Sequence, residues 1–419
     1  MEAQRGGAPR GATSSRPSDD GPVPASPGPG VIHHGLLREL SEQAVLEAVF
    51  RHGPIARPQI AERTGLSKPT VSQAVARLER IGLVHQDGKR RGMPGRVATL
   101  YSVDRQVGFV VGVDVGGTRV RAAVANIYGE ILREDQRMTD RRGGRHVVRQ
   151  MASLAQSLAA RTSIDWALVA GVGVATPGVV DPTSGRVQLA YNISSWEEVP
   201  IEPALARAFG VPVLVGNNVN LAAVGEKWRG LAKDVSTFVY VAVGVGVGMG
   251  LVLNNELFVG ARGAAGEIAY LPLAPDSLDP RHRSHGALED VAGGSAIVAA
   301  ARSARGWRRP PPGSAEEVFA LAREGYEPAV RVVADEGRRI GLAVASACAV
   351  IDPELVVLGG GIGGNPQLLE PARATASALV PFAPRIESSL LGDRAALYGA
   401  VAVALRAARE SLLWGARTG

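Results

Sequence analysis

The chain has a single cysteine and no long apolar run. Cys348 is the only cysteine among 419 residues, so a disulfide framework and a metal site with several cysteine ligands are excluded. No apolar run approaches the roughly 18 residues that a membrane-spanning helix needs. The first thirty residues lack the apolar stretch of a signal peptide. These absences predict a cytoplasmic protein, associated with the nucleoid if it binds DNA.

Residues 1–32 are rich in Gly, Pro, Ser and Arg and contain few apolar side chains. Such a segment cannot bury enough apolar surface to offset the entropy that its backbone would lose on folding. We therefore predict that it is a disordered tail.

The positive charge is concentrated in the segment that follows this tail. Residues 31–105 contain 12 Lys or Arg and 7 Asp or Glu, a net charge of +5, whereas the formal charge of the whole chain is +6. A basic segment of this size is typical of a domain that contacts the phosphates of a nucleic acid.

Residues 33–104 have the pattern of a winged helix-turn-helix domain. Apolar residues recur at helical spacing in a first helix, and a second short helix is predicted over 57–64. Gly65 would make the turn, and Ser67 is a natural N-cap for a third helix that starts at Lys68. Short polar side chains at the start of that helix suit insertion into a major groove.

A charged hairpin follows the third helix. Residues 87–92 form its predicted tip and residues 98–103 its returning strand, which together predict a wing whose arginines meet phosphates or the minor groove. The candidate DNA contacts of helix and wing are Ser67, Lys68, Thr70, Ser72, Gln73, Arg77, Arg90, Arg91 and Arg96. The alternative is a small helical dimerisation module whose charges only solvate it.

An almost unbroken apolar strand over 108–115 leads into a tight turn at two glycines. Glycines let backbone N–H groups approach phosphate oxygens, and neighbouring Thr and Arg side chains can contact the same oxygens. The candidate phosphate contacts are Asp114, Gly116, Gly117, Thr118 and Arg119. Alone, this hairpin could equally be an ordinary turn.

A second glycine-rich stretch, over 244–250, opens a second hairpin of the same design, with Gly244 and Gly246 as candidate phosphate contacts. The hairpin–helix pattern therefore occurs twice, and it predicts an α/β body with a first lobe over 105–231 and a second over 232–419. Between the lobes we expect a cleft able to hold a nucleotide and a sugar.

Four motifs in order resemble those of the ROK family of repressors and sugar kinases. Residues 114–119 and 244–250 resemble its two phosphate motifs, 263–267 its sugar-binding signature, and 359–363 its adenosine-side glycine loop. The resemblance covers nearly all of residues 41–412. It implies a duplicated ribonuclease-H-like fold of the actin/hexokinase type for the body, and the winged helix implies the repressor branch.

The chain departs from the kinase members of this family at two positions. Their motif has an Asn-Asp pair whose Asp takes the proton from the hydroxyl being phosphorylated, but this chain has Asn218 there. An amide cannot accept a proton near neutral pH, and general-base assistance is worth roughly 10²–10⁴-fold. Val245 also stands where the family usually has Thr. The resemblance therefore implies a body without catalytic activity, whose phosphate motifs are vestigial.

A zinc site is not expected either. Tyr270 stands where zinc-containing members of the family have His, and the cysteine cluster that follows in those members is missing. His282 and His285 lie on an arginine-rich loop, and we interpret them as solvated side chains rather than as the remnant of a metal site. We predict no metal and no cofactor.

The resemblance still implies a sugar pocket. Its candidate contacts are Asn217, Asn218, Glu267, Tyr270 and Glu289. Carboxylates and amides can bridge adjacent hydroxyl groups, whereas each unpaired buried polar group would cost about 1–3 kcal/mol. Asn192 and Trp196 lie on a loop that often borders this site in relatives, although we favour a packing role for Trp196.

The leading hypothesis is a transcriptional regulator, a repressor, that senses a sugar or sugar derivative without phosphorylating it. Its expected partners are double-stranded operator DNA and the effector, and we expect a homodimer or a dimer of dimers that contacts no membrane. One alternative is an active ATP-dependent sugar kinase that also binds DNA. Another is a regulator controlled by a protein partner.

Overall fold

The computed structural model describes residues 29–91 and 97–415. The elements of the amino-terminal domain are α1 (Pro29–His52), β1 (Ile55–Ala56), α2 (Arg57–Thr64), α3 (Lys68–Arg80), β2 (Val84–Arg91) and β3 (Val97–Val103). The three strands pair in the order β1-β3-β2. Gly65, with φ +69°, ends α2 in the left-handed conformation and begins the turn to α3. The predicted helices and turn of a winged helix-turn-helix are therefore confirmed.

The predicted tail differs from the structure at its end. Residues 1–28 lie outside the described residues, but α1 begins at Pro29 and so includes residues 29–32, which the sequence analysis assigned to the tail. Val31 and Ile32 are apolar, unlike the Gly, Pro and Ser residues before them, and they suit a helix better than a polar tail.

The predicted tip of the wing also differs. Residues 87–91 belong to β2, and the pairing with β3 shifts between Gln86 and Lys89. Gly88 lies at this shift with φ +86°, a conformation that glycine adopts without steric cost. A bulge therefore lets the strand continue where the sequence suggested a turn. Residues 92–96, the rest of the wing, lie outside the described residues.

The winged helix packs against the body through aromatic side chains. Phe50 of α1 stacks on Tyr128, with ring centroids 4.6 Å apart. The Tyr128 hydroxyl donates to the carbonyl oxygen of Val103 at 3.0 Å and accepts from its N–H at 3.1 Å. The end of β3 is therefore fixed to the first lobe.

The first lobe is built on a five-stranded mixed sheet. Its elements are β4 (Phe109–Val115), β5 (Arg119–Asn126), β6 (Ile131–Met138), α4 (Gly144–Ala160), β7 (Val169–Thr176), β8 (Val179–Val180), β9 (Val187–Gln188), α5 (Ile201–Phe209), β10 (Val213–Asn217) and α6 (Asn218–Arg229). The order in the sheet is β10-β7-β4-β5-β6, and β8 and β9 form a separate pair. All seven residues of β4 are buried, which explains its unbroken apolar sequence.

The second lobe repeats this topology. Its elements are β11 (Phe238–Val243), β12 (Val247–Leu253), β13 (Glu256–Phe258), α7 (Gly294–Ser303), α8 (Ala315–Arg323), α9 (Glu327–Ile351), β14 (Leu355–Gly359), α10 (Gly360–Gly363), α11 (Pro366–Leu379) and β15 (Arg385–Ser388), followed by α12 (Ala395–Gly415). The strand order is β13-β12-β11-β14-β15. In both sheets three antiparallel strands are followed by two parallel ones, so the predicted duplication is confirmed.

Helix α12 packs against the first sheet, although it follows the second lobe in sequence. A Cβ atom on Gly112 of β4 would lie 2.8 Å from the backbone nitrogen of Val401, and one on Gly173 of β7 would lie 2.0 Å from the carbonyl oxygen of Ala400. The structure thus groups α12 with the first lobe, whereas the sequence analysis assigned residues 232–419 to the second. No helix within the described ranges is long and apolar enough to cross a membrane.

Helices α6 and α12 cross in close contact at two glycines. A Cβ atom on Gly399 would lie 1.7 Å from the carbonyl oxygen of Leu221, and one on Gly225 would lie 2.1 Å from that of Ala395. The two backbones therefore touch where neither helix has room for a side chain.

We expect Gly399→Ala to destabilise the protein by about 1–3 kcal/mol, because the added methyl group must push two backbones apart. In an open helix the same change would stabilise by up to about 1 kcal/mol, so the sign of the effect reports the contact. Urea unfolding followed by circular dichroism measures the difference. Gly361→Ala is the matched control, since nothing lies within 4 Å of its Cβ position. Equal stability of G399A and G361A would contradict the prediction.

Candidate functional site

The amino-terminal end of α3 presents a polar, exposed surface. The N–H of Thr70 donates to the Ser67 hydroxyl at 3.3 Å, so Ser67 caps the helix as predicted. The opposite face of α3 is buried through Val71, Val75 and Leu78. Of the candidate DNA contacts, Ser67, Lys68 and Gln73 are exposed, and Thr70 and Ser72 are partly exposed. Because the buried face packs into the domain core, the exposed residues at the start of α3 remain accessible to a ligand.

Arg77, one turn further along α3, lies against α1. Its Nε is 3.3 Å from a carboxylate oxygen of Glu42 in α1, and 26% of its side chain is exposed. The ion pair joins α3 to α1, so Arg77 is less exposed than the residues at the start of α3, and its contact with DNA stays a prediction. Helical periodicity did not reveal this, because Glu42 is 35 residues away in the sequence.

The arginines of the wing are less fully described. Arg90 and Arg91 lie on β2, opposite Ala98 and Val97, but their side chains are outside the described part of the structure. Arg96 is outside the described residues altogether. Their contact with DNA stays a prediction.

The first glycine loop, between β4 and β5, is a tight turn that a neighbouring loop approaches closely. The N–H of Gly116 donates to the carbonyl oxygen of Arg119 at 2.9 Å. A Cβ atom on Gly117 would lie 2.6 Å from the carbonyl oxygen of Asn192. The side chains of Thr118 and Arg119 are exposed. The loop therefore has the predicted form, and the loop that contains Asn192 lies against it.

Asp114 is engaged by an arginine that the sequence analysis did not single out. Arg121 Nη1 donates to a carboxylate oxygen of Asp114 at 3.3 Å, and Arg121 Nη2 donates to one of Asp393 at 2.7 Å. Burial raises the pKa of Asp114 to about 6, although Arg121 opposes this shift. Arg121 is two residues from Arg119 on β5, which was the available signal, whereas no sequence pattern pointed to Asp393.

The second glycine loop, between β11 and β12, is occupied by a carboxylate. The N–H of Val247 donates to Glu289 Oε2 at 3.0 Å, and a Cβ atom on Gly246 would lie 2.3 Å from the same oxygen. The N–H of Gly244 donates to the carbonyl oxygen of Gly246 at 2.9 Å. Val245 is 70% exposed at the tip of this loop. Because its side chain is apolar, it offers no hydroxyl group where related kinases usually have Thr.

Glu267 and Glu289 form a pair of partly buried carboxylates. Burial raises the pKa of Glu267, and the negative charge of Glu289 raises it further. Burial also raises the pKa of Glu289, partly offset by the hydrogen bond from Val247 and by nearby His285. Neither carboxylate forms an ion pair with an Arg or Lys side chain among the described residues. Hydrogen-bond acceptors of this kind suit the hydroxyl groups of a sugar.

Asn217 and Asn218 lie at the start of α6 and differ in how they are used. The side-chain Oδ1 of Asn217 accepts hydrogen bonds from the N–H groups of Val219 and Asn220, and its Nδ2 donates to the carbonyl oxygen of Gly178 at 2.9 Å. Within the described ranges the Asn218 side chain forms no hydrogen bond. Val219, the next residue, packs against Gly248 of β12, which brings this helix end to the second glycine loop. Among the described residues, the Asn217 amide is thus used within the protein, whereas the Asn218 amide is available to bind a ligand.

Tyr270 belongs to an aromatic group at the edge of these carboxylates. Its hydroxyl donates to the carbonyl oxygen of Ser284 at 3.4 Å, and 40% of the residue is exposed. Tyr191, from the first lobe, contacts the His285 ring edge-on at 5.3 Å between centroids and lies close enough to Tyr270 to affect its pKa, which burial raises. No sequence pattern pointed to Tyr191.

The residues around Tyr270 do not fit a zinc ion. His282 Nδ1 is 2.6 Å from a carboxylate oxygen of Asp290, and His285 Nδ1 is 3.0 Å from the Ser284 hydroxyl. No group of three or more His, Cys, Asp and Glu side chains with metal-binding geometry occurs in the described part of the chain. A phenol in place of an imidazole, without thiolates, is a poor ligand set for zinc.

Trp196 is a packing residue. It is 1% exposed, and its Nε1 donates to the Thr176 hydroxyl at 2.8 Å. Asn192, on the same loop, is exposed. The structure thus matches the packing role that we favoured for Trp196.

Comparisons with known proteins agree with this architecture. The ROK family model matches residues 110–407, and a MarR family model matches residues 34–92. A protein of Caldicellulosiruptor bescii named xylose repressor is 27% identical over 388 residues, which cover 89% of this chain and 97% of that protein.

Two solved structures represent the two kinds of relative. A ROK family transcriptional regulator, described as a homologue of the E. coli MLC protein, superposes with a TM-score of 0.73 at 21% identity, covering 91% of this chain and 99% of that one. A ROK family glucokinase of Streptomyces griseus, in complex with glucose and AMPPNP, gives a TM-score of 0.62 at 26% identity, covering 71% of this chain and all of that one. The predicted fold class is confirmed.

Because the Asp114 carboxyl group is buried, we expect its ionisation to reduce the free energy of unfolding as the pH rises. Its pKa is about 6 in the folded chain against an ordinary value of 3.8, so the folded state binds more protons between these values and the free energy of unfolding falls with rising pH. We expect the stability of the unchanged chain relative to D114N to fall by up to about 3 kcal/mol between about pH 3 and about pH 7, with most of the loss between the two pKa values.

Urea unfolding at several pH values measures this difference. D393N is the control, because Asp393 also contacts Arg121 but is exposed. If the unchanged chain gains stability relative to D114N as the pH rises, the Arg121 ion pair outweighs burial and the prediction is wrong.

Proposed function

We propose, from the premise that the chain belongs to the ROK family and joins a MarR-type winged helix to its ROK domain, that it is a sugar-responsive transcriptional repressor that does not phosphorylate its effector. The resemblance inferred from the sequence is thereby confirmed at the level of family. The relative from Caldicellulosiruptor bescii is named a xylose repressor, so xylose is the first effector to test.

The main support for the proposal is a difference between the two sides of the proposed cleft. Polar groups on the phosphate side already have partners within the protein, whereas those on the sugar side do not. On the phosphate side, Arg121 engages Asp114 and Glu289 engages the N–H of Val247. On the sugar side, Glu267 and Asn218 have no partner among the described residues. Groups that are satisfied internally offer little to a nucleotide, whereas free acceptors and amides are what a sugar needs.

The exposed start of α3 supports the DNA-binding half of the proposal. Lys68 and Gln73 are exposed, and Thr70 and Ser72 border them. One recognition helix reads too few base pairs for useful selectivity, so we propose that two chains bind an inverted repeat. The arginines of the wing would add contacts to phosphate groups.

A working sugar kinase is the second candidate, because a ROK glucokinase has a similar body. Asn218 argues against it, since an amide cannot take the proton from the attacking hydroxyl. Control by a protein partner in place of a sugar is the third candidate. The free carboxylate of Glu267 favours a small polar ligand over that alternative.

Sensing and DNA binding should be separable by mutation. We expect Glu267→Gln to abolish the response to sugar and to weaken sugar binding by at least about tenfold, because a charged hydrogen bond is lost. DNA affinity without sugar should stay within about twofold. Fluorescence anisotropy of labelled operator DNA, with and without xylose or glucose, measures both quantities.

Gln73→Ala is the matched variant on the DNA side. It should relax discrimination between operator and unrelated DNA by a factor of about five or more while leaving sugar binding unchanged. An E267Q protein that still responds fully would place the sensor elsewhere. A Q73A protein with unchanged selectivity would remove α3 as the reading helix.

Phosphorylation of the effector should be undetectable in an assay that couples ADP release to NADH oxidation. The missing general base alone costs roughly 10²–10⁴-fold, and Val245 cannot hydrogen-bond phosphate. The double variant N218D with V245T should gain some activity, whereas N218A should remain inactive. Ordinary kinase rates in the unchanged chain, lost in N218A, would overturn the proposal in favour of the kinase.

A further inference from the structure

A cavity of about 150 Å³ lies where the winged helix meets the last helix of the chain. This is about the volume of a cavity that accepts one benzene-sized molecule. Its apolar wall comes from both domains and consists of Leu46, Phe50, Leu83, Val103, Val107 and Leu412. The remaining lining residues are charged, namely Glu47, Arg51 and Arg409.

Arg409 of α12 is a cation without an anionic partner among the described side chains. Its Nε donates to the carbonyl oxygen of Ile127 at 3.0 Å, and its guanidinium carbon lies 4.6 Å from the centroid of the Phe50 ring. No carboxylate pairs with it among the side chains that the structure describes. Burial lowers the pKa of Arg409, and the like charge of Arg51 lowers it further. A half-buried guanidinium with nitrogens to spare calls for an anion.

The other two charges do not supply that anion. Glu47 already forms an ion pair with Arg51, one turn along α1. The lining therefore has one cation in excess, and its unpaired charge lies beside an apolar wall. A strongly hydrated ion such as phosphate would satisfy the charge but would leave that wall in contact with water.

We propose that this cavity is a ligand site, separate from the sugar cleft, for a small monocarboxylate with an apolar body of about six or seven carbon atoms. The carboxylate accepts two hydrogen bonds from Arg409, in the fork geometry that guanidinium groups favour. The apolar body fills the space between Leu46, Leu83 and Leu412. Benzoate and hexanoate have this chemistry and size.

Because the site lies between the winged helix and the body, a bound ligand should affect how the two are arranged. Leu46 and Phe50 belong to α1 and Val103 to β3, whereas Arg409 and Leu412 belong to α12. A ligand between them adds contacts across the junction that holds the winged helix on the body. Because a ligand stabilises the arrangement that it binds, it shifts the angle at which the winged helices are presented to DNA.

Isothermal titration calorimetry of the full-length chain with benzoate and hexanoate tests the proposal. Benzamide has the shape of benzoate without its charge, and inorganic phosphate has the charge without the apolar body. We expect benzoate to bind at least about tenfold more tightly than either control, because a charge-assisted pair and the apolar contact are both required. Absence of binding by benzoate and hexanoate at millimolar concentration overturns the proposal.

Variants locate the binding. Arg409→Gln should weaken benzoate binding at least about tenfold, while Arg406→Gln should leave it unchanged, because Arg406 is exposed on the same helix and pairs with Glu410. Val107→Phe fills the cavity and keeps Arg409, so it should also abolish binding, and it decides the question if R409Q does not fold. Benzoate binding that survives V107F, or is lost equally in R406Q, shows that the site is wrong.

Discussion

The crossing of α6 and α12 is the contact on which the rest of the structure depends. Gly225 and Gly399 bring the two backbones together where a single Cβ atom would not fit. The first turn of α6 holds Asn217 and Asn218 at the cleft, and α12 runs from the residue after Arg394 to the winged helix. A close-packed crossing transmits displacement instead of absorbing it, because packed interiors have few voids. The first turn of α6, with Asn217 and Asn218, is therefore joined to the winged helix through two helices that share one tight contact.

The charged residues at the two ends of α12 differ in whether they have partners of opposite charge. At its start, Arg121 pairs with both Asp114 and Asp393, and Arg394 and Tyr398 both contact Glu134. These contacts fix the helix to the first sheet. At its end, the guanidinium of Arg409 has a carbonyl oxygen and an aromatic face but no anion among the described residues. The charged groups at the start of the helix thus have ionic partners, whereas Arg409 near its end has none among the described side chains.

Local patterns predicted the elements of this fold well, and contacts between distant residues marked the limit. The Ser67 cap and the buried face of α3 followed from helical spacing, and the two glycine hairpins revealed the duplication. The pairing of Arg77 with Glu42, and of Arg121 with Asp393 272 residues away, could not be read from spacing. The packing of helix α12 on the first sheet could not be read from spacing for the same reason, because its sequence shows an apolar face but not its partner. At the wing, Gly88 signalled a turn but forms a bulge.

The proposed function, a kinase-like cleft that binds its sugar without a general base, is well suited to report a concentration. If the cleft binds its sugar without turning it over, occupancy is an equilibrium quantity set by the sugar concentration and the dissociation constant alone. The coupling between sugar and DNA is then reciprocal, because linkage constrains binding free energies but not rate constants. An acid at position 218 would replace that equilibrium by a steady state that also depends on nucleotide and product. Under the proposed function, the exchange of a carboxylate for the amide of Asn218 changes more than a rate, since it would make the state of the winged helix a function of a single ligand.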